Sequence, residues 1–215
     1  MHLSDAQIDR YSRQIIVPRV GGRAQERILA ARIVLVAQEP DLELVLAYLV
    51  GAGVGRIELE CGSTVRADKL GAAMFSLNSD STVRAFISND APRGVPDLVF
   101  AIIGGAGTRT SARTVCAGFV RVPSVVARLD SPARIGIFPA PPPCALCAGD
   151  LLVRDFGARA DEAGVIAAAA TTEVFKLLAR YDATPRAAII EFDGCASNAR
   201  EPAPNPNCAC AGQPA

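Results

Sequence analysis

Apolar positions along this chain switch between two periods. Behind Ser4-Asp5-Ala6-Gln7, the residues Ile8, Tyr11 and Ile15 recur on one helical face, with Arg10 and Arg13 one turn apart on another. The residues in front read as a capping box, in which the Ser hydroxyl accepts from the backbone three residues on and Gln7 reaches back to the cap. Val20-Gly21-Gly22 breaks the pattern before a second short helix predicted over 24–29. Then the period changes. Residues 32–37 (RIVLVA) form a β-branched run of the kind that makes a strand buried on both faces. Leu42, Val45, Leu46, Leu49 and Val50 return to helical spacing, Gly51-Ala52-Gly53 ends that helix, and 56–60 (RIELE) alternates as a strand.

Strand, helix, strand in succession implies parallel pairing through a right-handed crossover. The unit recurs, with a buried strand over 98–103, a helix over 108–120 and a strand over 122–127. Residues 134–138 are strand-like and run into Pro139-Ala140-Pro141-Pro142-Pro143, an extended connection. The stretch 151–162 reads as polar, irregular and exposed. Val165, Ile166, Ala169, Val174, Phe175 and Leu178 predict a long helix, and 187–192 a last strand. The expected fold is α/β: a Rossmann-like, doubly wound, mostly parallel sheet with helices on both faces. It spans 1–192, with an N-terminal helix over 3–16. A Pro-, Asn- and Cys-rich tail over 193–215 is left, which something must tie down.

Composition narrows the function classes. With 215 residues, half of them hydrophobic, the chain can build one sizeable core. Lys and Arg (22) balance Asp and Glu (22), which leaves no electrostatic case for nucleic acid or an anionic membrane. No apolar run reaches the length of a membrane span, and the N-terminus reads as a helix rather than an export signal; the expected location is cytoplasmic. The single histidine is His2, which argues against a Ser-His or Cys-His catalytic pair. Seven cysteines, several in close pairs, point to reduced thiols or a metal rather than a disulfide framework.

Several stretches, in order and spacing, resemble the ThiF/MoeB/HesA family of ubiquitin-activating-enzyme-like adenylyltransferases. Leu3-Ser4-Asp5 followed by Arg10-Tyr11-Ser12-Arg13-Gln14-Ile15 is similar to its LS…RYxRQI opening. Residues 31–36 resemble its first strand, and Ala52-Gly53-Val54-Gly55 the AGVG turn before its second. Asp97-Leu98-Val99 and Val122-Pro123 match later strands, Pro143-Cys144-Ala145-Leu146-Cys147 its first zinc half-site, and Asn205-Pro206-Asn207-Cys208 the start of its second. The resemblance implies a structural zinc held by Cys144, Cys147, Cys208 and Cys210, although the second pair is C-x-C where the family has C-x-x-C; free thiols are the alternative. Cys61 and Cys116 read as buried, and Cys195 as a spare ligand at most.

Family members use ATP and magnesium to adenylate the C-terminal glycine of a ubiquitin-like sulfur carrier. Their phosphates lie on a Gly-rich loop, where backbone N–H groups must approach closely. Here that loop is Ala37-Gln38-Glu39-Pro40-Asp41-Leu42, with no glycine, a proline without a donor and two carboxylates beside the phosphate position. The acidic ribose element reads Cys61-Gly62-Ser63, the NLxRQ segment falls near Lys69-Leu70-Gly71-Ala72-Ala73, and the magnesium Asp aligns with Gly104. The crossover loop, over 148–162, has no cysteine.

Three readings follow from these losses. One is a non-catalytic member that binds no ATP or magnesium and pairs as a homodimer or with an intact paralogue. It would keep one family element, Arg13, which reaches in trans into the partner's site. A carrier-binding scaffold without an activating role is a second, and an adenylyltransferase with an altered ATP site a third. Gly104-Gly105-Ala106-Gly107-Thr108 reads as a tight turn with Thr108 as helix N-cap, with a phosphate cradle as its alternative.

Overall fold

The β-branched runs and the helical stretches between them form the layers their periods predict. The computed structural model describes residues 2–61, 64–86, 94–152, 157–194 and 196–211. In chain order the elements are α1 (Asp5–Ile15), α2 (Gly21–Ala30), β1 (Arg32–Val36), α3 (Leu42–Gly51), β2 (Arg56–Glu60), α4 (Thr64–Leu77), β3 (Thr82–Ala85) and β4 (Leu98–Ile103). Then come α5 (Ala106–Gly118), β5 (Ser124–Arg128), β6 (Ala133–Phe138), α6 (Gly149–Leu152), α7 (Ala163–Ala179), β7 (Ala188–Asp193) and β8 (Ala196–Arg200). A 3-10 turn, Ala209–Ala211, follows.

All eight strands share one sheet, ordered β3-β2-β1-β4-β5-β6-β7-β8. The first five positions are parallel, with Ile33 paired to Ile57 on one side and to Leu98 on the other. From β5 onward the pairing is antiparallel, as in Val125 with Ile137 and Ile190 with Ala199. Successive residues of β1 point to opposite faces, and both faces are covered. Ile33 and Leu35 pack with Ile28 of α2, Leu46 of α3 and Val174 of α7, whereas Val34 and Val36 pack with Val115 of α5 and Leu151 of α6. The doubly wound expectation holds. Among the described residues, no helix is long and apolar enough to cross a membrane.

Several details differ from the sequence reading. β3 and β8 were not predicted: one is four residues long, and every residue of the other is exposed, so neither carries an apolar signature. The tail therefore contributes an edge strand before it becomes irregular. Thr108 is not the N-cap of α5; Gly105 is, and Thr108 is buried within the first turn. The stretch 151–162 is not uniformly exposed, since Leu151, Leu152 and Ala160 are core residues. On α1 only Tyr11 is buried, while Ile8 is 48% exposed.

Candidate functional site

The N-terminal signature and the glycine turn meet in space. Ser4 and Gln7 form the predicted capping box, with reciprocal bonds of 3.3 and 3.1 Å, which fixes the start of α1. Tyr11 then points inward against Gly53, where a Cβ would lie 2.6 Å from the Tyr11 hydroxyl. Gly53 also adopts a φ of +86°, so both space and backbone require glycine there. At Gly55 a Cβ would fall 1.9 Å from the Leu29 carbonyl oxygen. The Tyr11 hydroxyl donates to Asp80 Oδ2 (2.9 Å) and accepts from Asn78 Nδ2 (2.9 Å). Burial pushes its pKa up to about 12, with Asp80 adding to the rise and Asn78 opposing it. Arg10 lies 3.8 Å from the same Asp80. Arg13, in the last turn of α1, is exposed and has no ion-pair partner among the described residues.

At the carboxyl ends of β1 and β4 the strand order reverses, which makes the crevice where ligands bind in open α/β sheets. Here an ion pair lies in that crevice. Asp41 occupies the N-cap position of α3, but its carboxylate does not cap the helix. It accepts two bonds instead, from Arg159 Nη1 (2.8 Å) and Nη2 (2.6 Å), and is only 4% exposed. The pair lies over the turn after β4, since a Cβ on Gly104 would sit 3.3 Å from Asp41 Oδ2 and 3.6 Å from Arg159 Nη1. A helix N-terminus favours negative charge, and at α3 that charge is supplied by the chain itself. Glu39 pairs with Arg66 (2.5 Å). The two loop carboxylates expected beside a phosphate position thus both have guanidinium partners.

A second, deeper pair anchors the segment that delivers Arg159. Arg128 and Asp130, 1% and 4% exposed, are joined by bonds of 2.6 and 2.7 Å. Asp130 also accepts from the Gly157 N–H (2.9 Å). Burial alone would raise the Asp130 carboxyl, but the Arg128 donors, the Gly157 amide and the guanidinium charge outweigh it and hold it below the usual range. Ser131 N–H to the Ala158 carbonyl and Ala160 N–H to that of Leu129 complete the attachment. Cys61 is half-buried after β2, and Gly62 and Ser63 lie outside the described residues. Of Lys69 to Ala73 on α4, only Leu70 is buried.

On the α5 side, Cys144, Cys147, Cys208 and Cys210 converge with all four sulfurs within 4.8 Å of one another. Individual edges are 3.9 Å (Cys144–Cys147), 3.6 Å (Cys144–Cys208) and 3.4 Å (Cys147–Cys210). A tetrahedron of sulfurs about 2.3 Å from a central zinc has edges of about 3.8 Å, so the donor set fits such an ion. The knuckle closes with the Cys147 N–H on the Cys144 carbonyl (2.9 Å). The one-residue spacer of the second pair is accommodated by the 3-10 turn that carries Cys210. Burial raises the Cys144 and Cys210 thiols. At Cys147 burial is opposed by backbone N–H groups and by the Cys210 and Cys208 thiols, which bring it down to about 7. A bound metal would supply the charge that holds all four as thiolates. Cys116 is buried in α5 with its thiol pushed up to about 12, and Cys195 lies outside the described residues.

Arg159, Arg128, Asp130, Asn78 and Asp80 were not singled out from sequence. Only the Arg-x-Asp spacing of 128 and 130, which places both side chains on one side of an extended segment after an apolar run, carried a readable signal.

No protein-family model matches the chain. Over 57 residues it is 46% identical to the sulfur carrier protein adenylyltransferase of Thermus thermophilus, a match covering 26% of this chain but 21% of that protein. It is 24% identical over 212 residues to the vegetative HesA protein of Trichormus variabilis, covering 84% of this chain and 80% of that one. Among solved structures, E. coli MccB with ATP superposes with a TM-score of 0.72 at 16% identity, over 97% of this chain and 75% of that chain. With this superposition over nearly its whole length and its eight-stranded sheet order, the chain has a ThiF/MoeB/HesA-like fold.

Proposed function

We propose that this chain is a non-catalytic subunit of the ThiF/MoeB/HesA type that acts with an intact paralogue in activating a ubiquitin-like sulfur carrier. The observation that carries the reading is the Asp41–Arg159 pair at the β1/β4 switch point. Phosphates placed there would meet a buried carboxylate, and displacing it would strand that charge without its guanidinium. The loop before α3 adds Pro40, which has no N–H to offer.

Arg13 supports the second half of the reading. It stands at the end of a capped helix held by Tyr11, Asn78 and Asp80, with its guanidinium unengaged among the described residues. Ile16 and Val17, which follow the end of α1, are 78% and 43% exposed. A cation flanked by open apolar side chains suits a protein interface better than bulk solvent. A guanidinium delivered to a neighbour's phosphates binds them in a forked geometry that lysine does not reproduce.

The isolated chain should show no melting shift with millimolar ATP and magnesium, and no pyrophosphate exchange. Either signal would overturn the non-catalytic assignment. Reconstituted with an intact paralogue, Arg13→Ala should slow carrier adenylation about a hundredfold while the complex still assembles. Unchanged rates in an assembled complex would remove Arg13 from the mechanism. Carrier capture by this chain, with no paralogue able to associate, would favour the scaffold role instead.

A further inference from the structure

The opposite, amino-terminal edge of the sheet carries a second cleft. It has a volume of about 880 Å³ and lies between α2, the end of α7 and the start of β7. That volume is in the range of a small-molecule site, and the lining combines an apolar floor with seven charged side chains. The floor includes Leu98 of β4, Ile137 of β6 and Ile190 of β7.

The charges around it are unequal. Its three acids are engaged: Asp97 accepts from the Arg32 N–H, and Glu173 and Asp182 both face Lys176. Arg180 and Arg186, in contrast, are exposed and make no ion pair or hydrogen bond through their side chains among the described residues. Arg27 gives one donor to the Ala179 carbonyl and balances no carboxylate there.

The backbone that presents Arg180 is also unusual. Arg180 is the C-cap of α7 in the left-handed region, with φ 54° and ψ 47°. Helices commonly place glycine in this conformation, because a Cβ is disfavoured there. The chain places a long cationic side chain at this position instead. Next to it, the ring of Tyr181 sits 5.8 Å beneath the Arg19 guanidinium, which braces the rim from the α1–α2 connection.

We propose that this cleft binds a small amphipathic organic anion, its apolar body on the sheet-end floor and its carboxylate or sulfonate held by Arg180 and Arg186. The proposal does not rest on the partner-subunit reading, since the two sites occupy opposite edges of the sheet.

The test uses the full chain under native conditions and two probes with closely related apolar bodies. One is 8-anilinonaphthalene-1-sulfonate; the other is the neutral N-phenyl-1-naphthylamine. The anionic probe should bind saturably, near one per chain, and the neutral one at least tenfold more weakly. Arg180→Gly combined with Arg186→Ala should weaken the anionic probe about tenfold or more, since charge-assisted bonds are lost. Arg180→Gly suits the left-handed backbone, so the variant should fold, which its melting curve checks. Arg113→Ala, in a smaller cleft on α5, should leave binding unchanged. Non-saturable binding, equal affinity for the neutral probe, or an unaffected double variant would overturn the proposal.

Discussion

Arg159 and Asp41 are unequal partners, and the inequality can be measured. Asp41 is 4% exposed, whereas about a third of the Arg159 side chain (36%) reaches solvent. Arg159→Ala leaves a buried carboxylate with no guanidinium and should cost about 2 kcal/mol, less than a fully buried pair because water screens the site from one side. Asp41→Ala lets Arg159 turn outward and should cost about 1 kcal/mol. Urea unfolding of both variants tests the order; equal losses would mean the pair is not anchored at the Asp41 end. The deeper Arg128–Asp130 pair makes a statement about pH. The Asp130 carboxyl is held below its unfolded value of about 3.9, so its contribution is fully present above that pH and declines as pH falls through the lower, folded value. Asp130→Asn should be strongly destabilised at pH 7, and its deficit against the parent chain should narrow in urea midpoints taken towards pH 3. A deficit that stays constant would remove Asp130 as the titrating group. The Asp41–Arg159 pairing was not legible beforehand, because the two residues are 118 apart and long-range ion pairs leave no periodic trace.

Elements with an apolar rhythm were legible, some to the residue and others, such as α5 and β5, displaced by about two. β2 and β4 have the limits their patterns predict, and α3 runs only one residue further than its apolar spacing. β3 and β8 were not legible, for the reason that strand signals come from burial and these two lie at the sheet edges. The two signature stretches were visible as text, but their physical connection was not: Gly53 is small because Tyr11 lies against it. Gly53→Ala should therefore cost about 2 kcal/mol or more, from steric overlap and an unfavourable φ together. In a double-mutant cycle with Tyr11→Ala the losses should be less than additive, because removing the ring removes the overlap. Additive losses, read from thermal or urea melts, would mean the contact is not what holds α1 in place. The capping box and the Tyr11 bonds to Asn78 and Asp80 tie α1 to the domain at its start and its middle, as the proposed action of Arg13 on a neighbouring chain would require.

Across the whole molecule, four parallel pairings and three antiparallel ones divide the sheet into a switch-point half and a half that ends in the cysteine cluster. The parallel half was legible because βαβ repetition admits few topologies. The convergence of four thiols came instead from the family resemblance, since spacing alone never states which pairs meet. Cys147 and Cys210 are 63 residues apart, and the chain between them holds α7, β7 and β8. A metal across the cluster would therefore be a removable cross-link rather than a local clip. By loop-closure entropy a link of that span disfavours the unfolded chain by about 4 kcal/mol, or about 10 °C in melting temperature for a chain of this size. Chelation should lower the melting point by that order in the parent chain and hardly at all in Cys208→Ser/Cys210→Ser. A long helix and the last two strands would be threaded on one closed ring, so metal supply would set how far the C-terminal third can open without the rest of the sheet.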